Sequence, residues 1–298
     1  MQKNEERVGR VLDTGFNGEG ILREEGQVVF VPFAIAGELI RYKILKVSKK
    51  CVYGKLLEVI EPSNLRVEPK CPVYFKCGGC SLSHIKYSEQ IKIKEKNIVD
   101  CFYKIANLKV TLNNTICGDN EYNYRNKLQL PVGDVDGQTV IGFYAENSHR
   151  IIPIDDCLIN PDWTKAIIKS FKLYIEKFSI KGYNEQNNTG ELREITVKEV
   201  DGNLIITAVS LKDNLRKVDE LIKMLQENLS NNFSFYLNIN KASTNVIYGN
   251  EFKLIYGEPE YYSNMLGIKY PIGVRSFMQV NTAVCYKLYS KVKELAKL

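Results

Sequence analysis

The sequence predicts an α+β chain of more than one domain: a small N-terminal β-barrel followed by a mixed α/β region. Three observations lead there. The 298 residues exceed a common domain length of on the order of 150. Short β-branched and aromatic runs separated by glycines fill residues 1–66. Beyond residue 86, apolar residues recur at helical spacing several times, with strand-like runs between them.

In the first region Val8, Val11 and Leu12 open the pattern, and Gly15, Gly18 and Gly20 punctuate turns. The run Gln27–Phe33 is β-branched and aromatic, Glu38–Ile44 alternates apolar with polar, and Val52–Ile60 is a further strand candidate. Several short strands with glycine turns suit a small barrel. Pro62 and Pro69 bracket a linker, and a cysteine-rich turn follows. Tyr87, Ile91, Ile98, Phe102 and Ile105 then mark a helix over 87–105, with Lys92, Lys94, Lys96 and Lys104 on its polar side. Asn160-Pro161 predicts a helix start with proline at the first helical position, followed by the stripe Trp163, Ile167, Phe171, Tyr174 and Phe178. Residues 193–210 predict a hairpin turning at Asp201-Gly202-Asn203. Val218, Leu221, Ile222, Leu225 and Leu229 mark another helix; 233–239 and 245–255 are strand-like. Asn281 caps a last helix in which Val284, Leu288, Val292 and Leu295 share a face. That periodicity meets no glycine or proline stop, so the architecture is expected to continue past it.

Hydrophobic residues make up 44% and charged residues 26%, which excludes a disordered chain. No run approaches the roughly 20 apolar residues of a membrane span, and the N-terminus has no apolar signal core. A cytoplasmic protein without a membrane partner is expected. The net charge of +6 permits a nucleic-acid partner without requiring one. Arg41, Lys43, Lys46, Lys49, Lys50 and Lys55 crowd one region, as an RNA-facing surface or as a solvated lysine-rich face.

Eight cysteines in a reducing compartment point away from structural disulfides. Cys71, Cys77 and Cys80 lie in Cys-Pro-Val-Tyr-Phe-Lys-Cys-Gly-Gly-Cys. Thiolates two residues apart can turn onto one metal centre, and Gly78-Gly79 leaves room for a bulky group. A fourth ligand must come from Cys51, Cys101, Cys117, Cys157, Cys285 or His84. Spacing alone leaves zinc and iron–sulfur equally open.

The chain resembles the bacterial 23S ribosomal RNA (uracil-5-)-methyltransferases over essentially its whole length. Val8-Gly9-Arg10-Val11, Gly18-Glu19-Gly20, Val29–Phe33 and Ala36-Gly37-Glu38 resemble a TRAM domain, an OB-like RNA-binding barrel. The Cys71, Cys77 and Cys80 motif resembles the family's iron–sulfur motif. Gly142-Phe143-Tyr144 and Ser148-His149 precede Asp156-Cys157 as the family's fourth ligand is preceded. The resemblance thus implies a 4Fe-4S cluster on Cys71, Cys77, Cys80 and Cys157. Tyr124-Arg125-Asn126-Lys127 resembles another family segment, and Ser276–Asn281 resembles the Phe-x-Gln-x-Asn signature that opens the catalytic part.

The resemblance implies three regions: an RNA-binding barrel at 1–66, an iron–sulfur α/β domain at 67–265, and the start of a methyltransferase domain at 266–298. It implies methyl transfer from S-adenosylmethionine to uracil C5, by cysteine addition to C6, attack of C5 on the sulfonium methyl, and removal of the C5 proton by a base, which releases the cysteine. Gln279 would contact S-adenosylmethionine, and a glutamine inside an apolar run needs a polar partner. Phe277 would stack on a nucleobase, or pack in the core. RNA would also meet Lys46, Lys49 and Lys50. No residue is assigned as nucleophile or base: the family's glycine-rich cofactor turn and its cysteine in an Asp-Pro-Pro-Arg setting have no counterpart here, and are expected beyond Leu298. Cys285, on an amphipathic helix, is expected to pack. The 298 residues alone are therefore expected to be inactive. Ribosomal RNA is the expected partner, and a monomer the expected full-length state. A stand-alone RNA-binding iron–sulfur module without catalysis is the alternative. A radical methylthiotransferase also joins such a barrel to a cluster, but the Cys71–Cys77 spacing and the N-terminal barrel argue against it.

Overall fold

A computed structural model describes residues 1–297. The chain forms two compact units. The first holds Met1–Phe75 and Cys80–Cys117; the second holds Lys76–Gly79 and the chain from Gly118 onward.

The first unit is built on six strands: β1 (Glu6–Arg10), β2 (Asp13–Thr14), β3 (Gly20–Glu24), β4 (Gln27–Val31), β5 (Leu39–Val47) and β6 (Cys51–Glu61). They form one sheet in the order β1-β5-β6-β4-β3-β2. The alternation read in the sequence sets the buried face. Ile40, Tyr42 and Ile44 of β5 join Val11, Leu22, Val29, Val31, Ala34 and Val52 in one core, while Arg41 and Leu45 stay outside. The ladders leave β1 and β2 at the ends of an open sheet, so the expected closure into a barrel is not among them. Gly54 is needed for packing: a Cβ there would lie 2.8 Å from the Tyr42 ring.

A buried ion pair ties the strand region to the linker. Glu38 is fully buried, and Arg66 donates to both its oxygens, at 2.6 and 2.7 Å. The Ile35 and Ser63 amides donate to it too, at 2.9 and 3.2 Å. Burial alone would raise the Glu38 pKa, but Arg66 and these amides hold it below the usual value. Helix α1 (Tyr87–Ala106) matches the predicted span, and Ile93 packs with Ile35 and Ile85.

The second unit holds β7 (Lys127–Val135), β8 (Gln138–Tyr144), β9 (Ile151–Pro153), α2 (Trp163–Phe178), β10 (Leu192–Val200), β11 (Asn203–Ser210), α3 (Val218–Asn228), β12 (Phe233–Ile239), β13 (Glu251–Tyr256), β14 (Glu260–Met265), β15 (Ile268–Gly273) and α4 (Thr282–Ala296). Seven strands form a sheet in the order β13-β12-β11-β10-β7-β8-β9. β10 and β11 are the predicted hairpin, with Asp201 and Gly202 at positive φ as a tight hairpin turn requires. β11 and β12 are parallel, so α3 is the crossover between them. Helices α2 and α3 pack together: Ser170 Oγ donates to Met224 O at 3.2 Å. The Phe171 ring of α2 stacks on Phe235 of β12 at 6.4 Å.

Two boundaries differ from the sequence reading. α2 starts at Trp163, not at Pro161. The Asn160 amide instead donates to the Arg125 and Lys127 carbonyls at 2.8 and 3.1 Å, which fixes it as a tertiary anchor. The strand expected over 245–255 begins only at Glu251. Buried Asn240 and Asn238 take the Val246, Ile247 and Gly249 carbonyls, so residues 246–249 bond to side chains instead of a ladder. Among the described residues no helix is long and apolar enough to cross a membrane.

Candidate functional site

The segment Ser276–Asn281 leaves β15 and enters α4, and the buried side chains of Asn126, just before β7, and Lys198 hold it. The Asn126 backbone N–H donates to Val280 O at 2.9 Å. Its side-chain amide donates to Gln279 O and to Thr282 Oγ1, both at 2.8 Å. Lys198 of β10 reaches the turn just upstream. Its ammonium donates to the carbonyls of Gly273 at 3.3 Å, Val274 at 2.6 Å and Ser276 at 2.5 Å. Asn281 caps α4 as predicted, accepting the Val284 N–H at 3.0 Å.

Held this way, the extended chain alternates its side chains. Met278 packs on the cluster of Val200, Ile205, Tyr236 and Ile272. Phe277 and Gln279 are outside it, and Phe277 is 82% exposed. One cavity of about 580 Å³ is lined by Phe277 and Gln279 with Tyr270, Cys285, Tyr289 and Val292, and is mostly apolar. A second, of about 390 Å³, lies toward the sheet, where Lys127, Lys198 and Arg275 meet Asn250, Phe252 and Phe277. Burial, and then the nearby Lys127 charge, lower the Lys198 pKa to about 8.

The predicted metal ligands fall in both units: Cys71 and Cys80 in the first, Cys77 and Cys157 in the second. All four are partly buried. Within the second unit, the Gly79 N–H points at Cys77 Sγ at 3.4 Å. The Gly78 N–H donates to Tyr144 O at 3.0 Å, and a Cβ at Gly78 would sit 2.9 Å from the Glu146 backbone. That close approach explains the glycine. Cys157 N–H donates to Asp156 Oδ1 at 2.7 Å. Among the described residues no group of three or more His, Cys, Asp or Glu side chains gathers as a metal site.

His84 is a core residue. It is fully buried, with Nδ1 2.7 Å from the Tyr74 hydroxyl and, among the described residues, no hydrogen bond to Nε2. Burial, helped by the Arg66 charge, lowers its pKa to about 4. His149 is exposed and meets Glu185 at 2.8 Å. Lys46, Lys49 and Lys50 are exposed where β5 turns into β6, beside Tyr53, whose ring stacks on Phe30 at 5.9 Å. Arg41, from the same basic region, is instead paired with Glu6 and Glu58.

No protein-family model matches the chain. Curated relatives align along all of it. An uncharacterized RNA methyltransferase of Streptococcus agalactiae is 34% identical over 301 residues, covering 100% of this chain and 67% of that protein.

The chain belongs to this family of RNA methyltransferases.

An uncharacterized RNA methyltransferase of Clostridium acetobutylicum is 39% identical over 303 residues, and one of Halalkalibacterium halodurans is 34% identical over 301. The chain spans about two thirds of the length of these relatives, 66% in both cases. Among solved structures, the Pyrococcus abyssi tRNA (uracil-54, C5)-methyltransferase in complex with S-adenosyl-L-homocysteine matches with a TM-score of 0.75. That match covers 97% of this chain and 65% of the other, at 24% identity, and is a likeness of fold.

Two residues of the segment differ from the sequence reading. Gln279 is exposed, so solvent can serve as its polar partner. Phe277 is not core packing. Cys285 is buried as expected, at 7% exposure, and lines the apolar cavity. The roles of Asn126, Lys198 and Arg275 were missed. For Lys198 the available signal was its place in the strand-like run Ile195–Val200, since a lysine buried in a strand needs several acceptors.

Proposed function

We propose that the protein containing this chain transfers a methyl group from S-adenosylmethionine to C5 of uracil in 23S ribosomal RNA, in the cytoplasm. The observation that carries this reading is the presentation of Phe277 and Gln279. Asn126 and Lys198 fix the backbone of that segment, and its two functional side chains stand out from the core. An exposed aromatic on a rigid segment suits stacking on an unpaired base, which contributes roughly 1–3 kcal/mol per base in single-strand binding. The target uracil has to leave its stack for such chemistry.

S-adenosylmethionine fits the larger cavity in part. Its volume of about 580 Å³ is in the range of small-molecule sites. Tyr270 and Tyr289 suit an aromatic ring, and the Gln279 amide offers a donor and an acceptor. Gln279 would hold the cofactor, whose sulfonium supplies the methyl group.

The donor chemistry of Cys71, Cys77, Cys80 and Cys157 fits a 4Fe-4S cluster. The Gly79 N–H directed at Cys77 Sγ is the kind of hydrogen bond that tunes cluster sulfurs. The cluster is proposed as structural, because the methyl transfer needs no electron. Lys46, Lys49 and Lys50 are proposed as phosphate contacts of an RNA-binding OB-like domain at 1–66; the exposed Tyr53 beside them supports this.

The test is to map 5-methyluridine by mass spectrometry in ribosomal and transfer RNA from cells with and without the gene. Loss at one 23S position is expected. Loss confined to transfer RNA would overturn the ribosomal assignment, and no loss at all would overturn uracil C5.

A further inference from the structure

The smaller cavity carries more positive charge than its own structure needs. Lys127 of β7 and Lys198 of β10 are direct cross-strand partners, so their side chains leave the same face of the sheet. Like charges directly opposite each other destabilise a sheet. Arg275 adds a third cation, its guanidinium 4.8 Å from the Phe252 ring centroid, with one donor on Asn250 O. Among the described residues no carboxylate lines the cavity.

The three cations are not equivalent. Lys198 is spent: its three N–H donors meet three backbone carbonyls. It contributes charge but no spare hydrogen bond. Among the described residues nothing accepts a hydrogen bond from, or pairs with, the Lys127 ammonium. The Arg275 fork has further donors beyond the one on Asn250. At one edge stands Phe277, a large aromatic 82% exposed. The lining therefore offers two available cationic donors, a fixed background charge and a stacking ring, in a volume of about 390 Å³.

We infer that this cavity binds one nucleotide of single-stranded RNA, with its phosphate on Lys127 and Arg275 and its base against Phe277. The inference rests on the RNA reading above and specifies where the strand is gripped. An anion there relieves the Lys127–Lys198 repulsion, and the same phosphate is placed next to the segment that presents Gln279.

The test uses the 298-residue chain, a short fluorescein-labelled single-stranded RNA containing uridine, and anisotropy titrations over a range of salt. Lys127→Gln and Arg275→Gln should each flatten the dependence of log K on log salt by about 0.7, the value for one lost phosphate contact on a single strand. Uridine monophosphate should compete with the RNA on the wild-type chain and lose that ability in Lys127→Gln. Lys127→Glu should raise the thermal midpoint, because it replaces a repulsive pair with an attractive one, while weakening RNA binding further; a residue with only a structural role would not give that combination. RNA binding with an unchanged salt slope in both glutamine variants would overturn the site and leave the RNA reading standing. No RNA binding by the wild-type chain would overturn that reading, and the site with it. Inorganic phosphate competing as well as uridine monophosphate would overturn the nucleotide assignment, because the base would then have no part.

Discussion

Replacing Asn126 with alanine should loosen the segment that carries Phe277 and Gln279 while leaving the sheet intact. The Asn126 side chain is 6% exposed and donates two hydrogen bonds of 2.8 Å, to Gln279 O and Thr282 Oγ1. Truncation removes both donors. Water can reach the exposed end of the segment, so the cost is about 2 kcal/mol, roughly 1 for each lost hydrogen bond. Two main-chain bonds survive the change: Asn126 N–H to Val280 O at 2.9 Å, and Glu199 N–H to Asn126 O at 2.7 Å. The loss should therefore be local. Amides of 277–284 should exchange faster by about 30-fold, which is 2 kcal/mol at 1.4 kcal/mol per decade. Amides of β11 and β12 should not change. Asn126→Asp, which keeps the size but sets carboxylate oxygens against the Gln279 carbonyl, should be worse than alanine. The measurement is hydrogen–deuterium exchange read by mass spectrometry. Unchanged exchange at 277–284 in both variants would refute the anchoring role.

Four further outcomes follow from the same residues. His84 has a folded pKa lowered to about 4 from 6.5 by burial, so the unfolded chain takes up a proton first as pH falls. Its contribution is complete above pH 6.5 and lost by about pH 4, on the order of 3 kcal/mol; urea unfolding across that window should show it, and a flat profile would contradict it. Chain purified without oxygen should be brown and hold about four irons, with the cluster lost or weakened in Cys157→Ser and kept in Cys101→Ser; stoichiometric zinc without iron would defeat the cluster. Neutralising Lys46, Lys49 and Lys50 together should flatten the salt dependence of RNA binding; an unchanged slope would make them a solvated face. No labelled methyl should pass from S-adenosylmethionine to ribosomal RNA on the 298 residues alone, because Cys285, the cysteine lining the cavity beside Gln279, is buried in α4; robust transfer would make Cys285, Cys51, Cys101 and Cys117 the nucleophiles to examine.

Local order decided how much of the molecule could be read from its sequence. The span of α1, the hairpin at Asp201-Gly202, the strand 233–239 and the Asn281 cap are written in residues a few positions apart, through periodicity, turn chemistry and capping. The family motifs at Cys71–Cys80 and Ser276–Asn281 are local too, and they pointed to RNA methyltransferases before any fold was known. Tertiary structure decided the rest, because the determining partners are far apart in the chain. Asn126 and Gln279 meet across 153 positions, Lys198 and Ser276 across 78. Residues 246–249 look like strand until Asn238 and Asn240 take their carbonyls, and Phe277, open in the sequence between stacking and core packing, is turned outward by the anchored backbone. A hydrogen bond between distant residues leaves no periodic trace, so the sequence alone determined the locally coded elements and the family. Only the fold decided which side chains hold the Phe277–Gln279 segment, and that three cations share one cavity beside it.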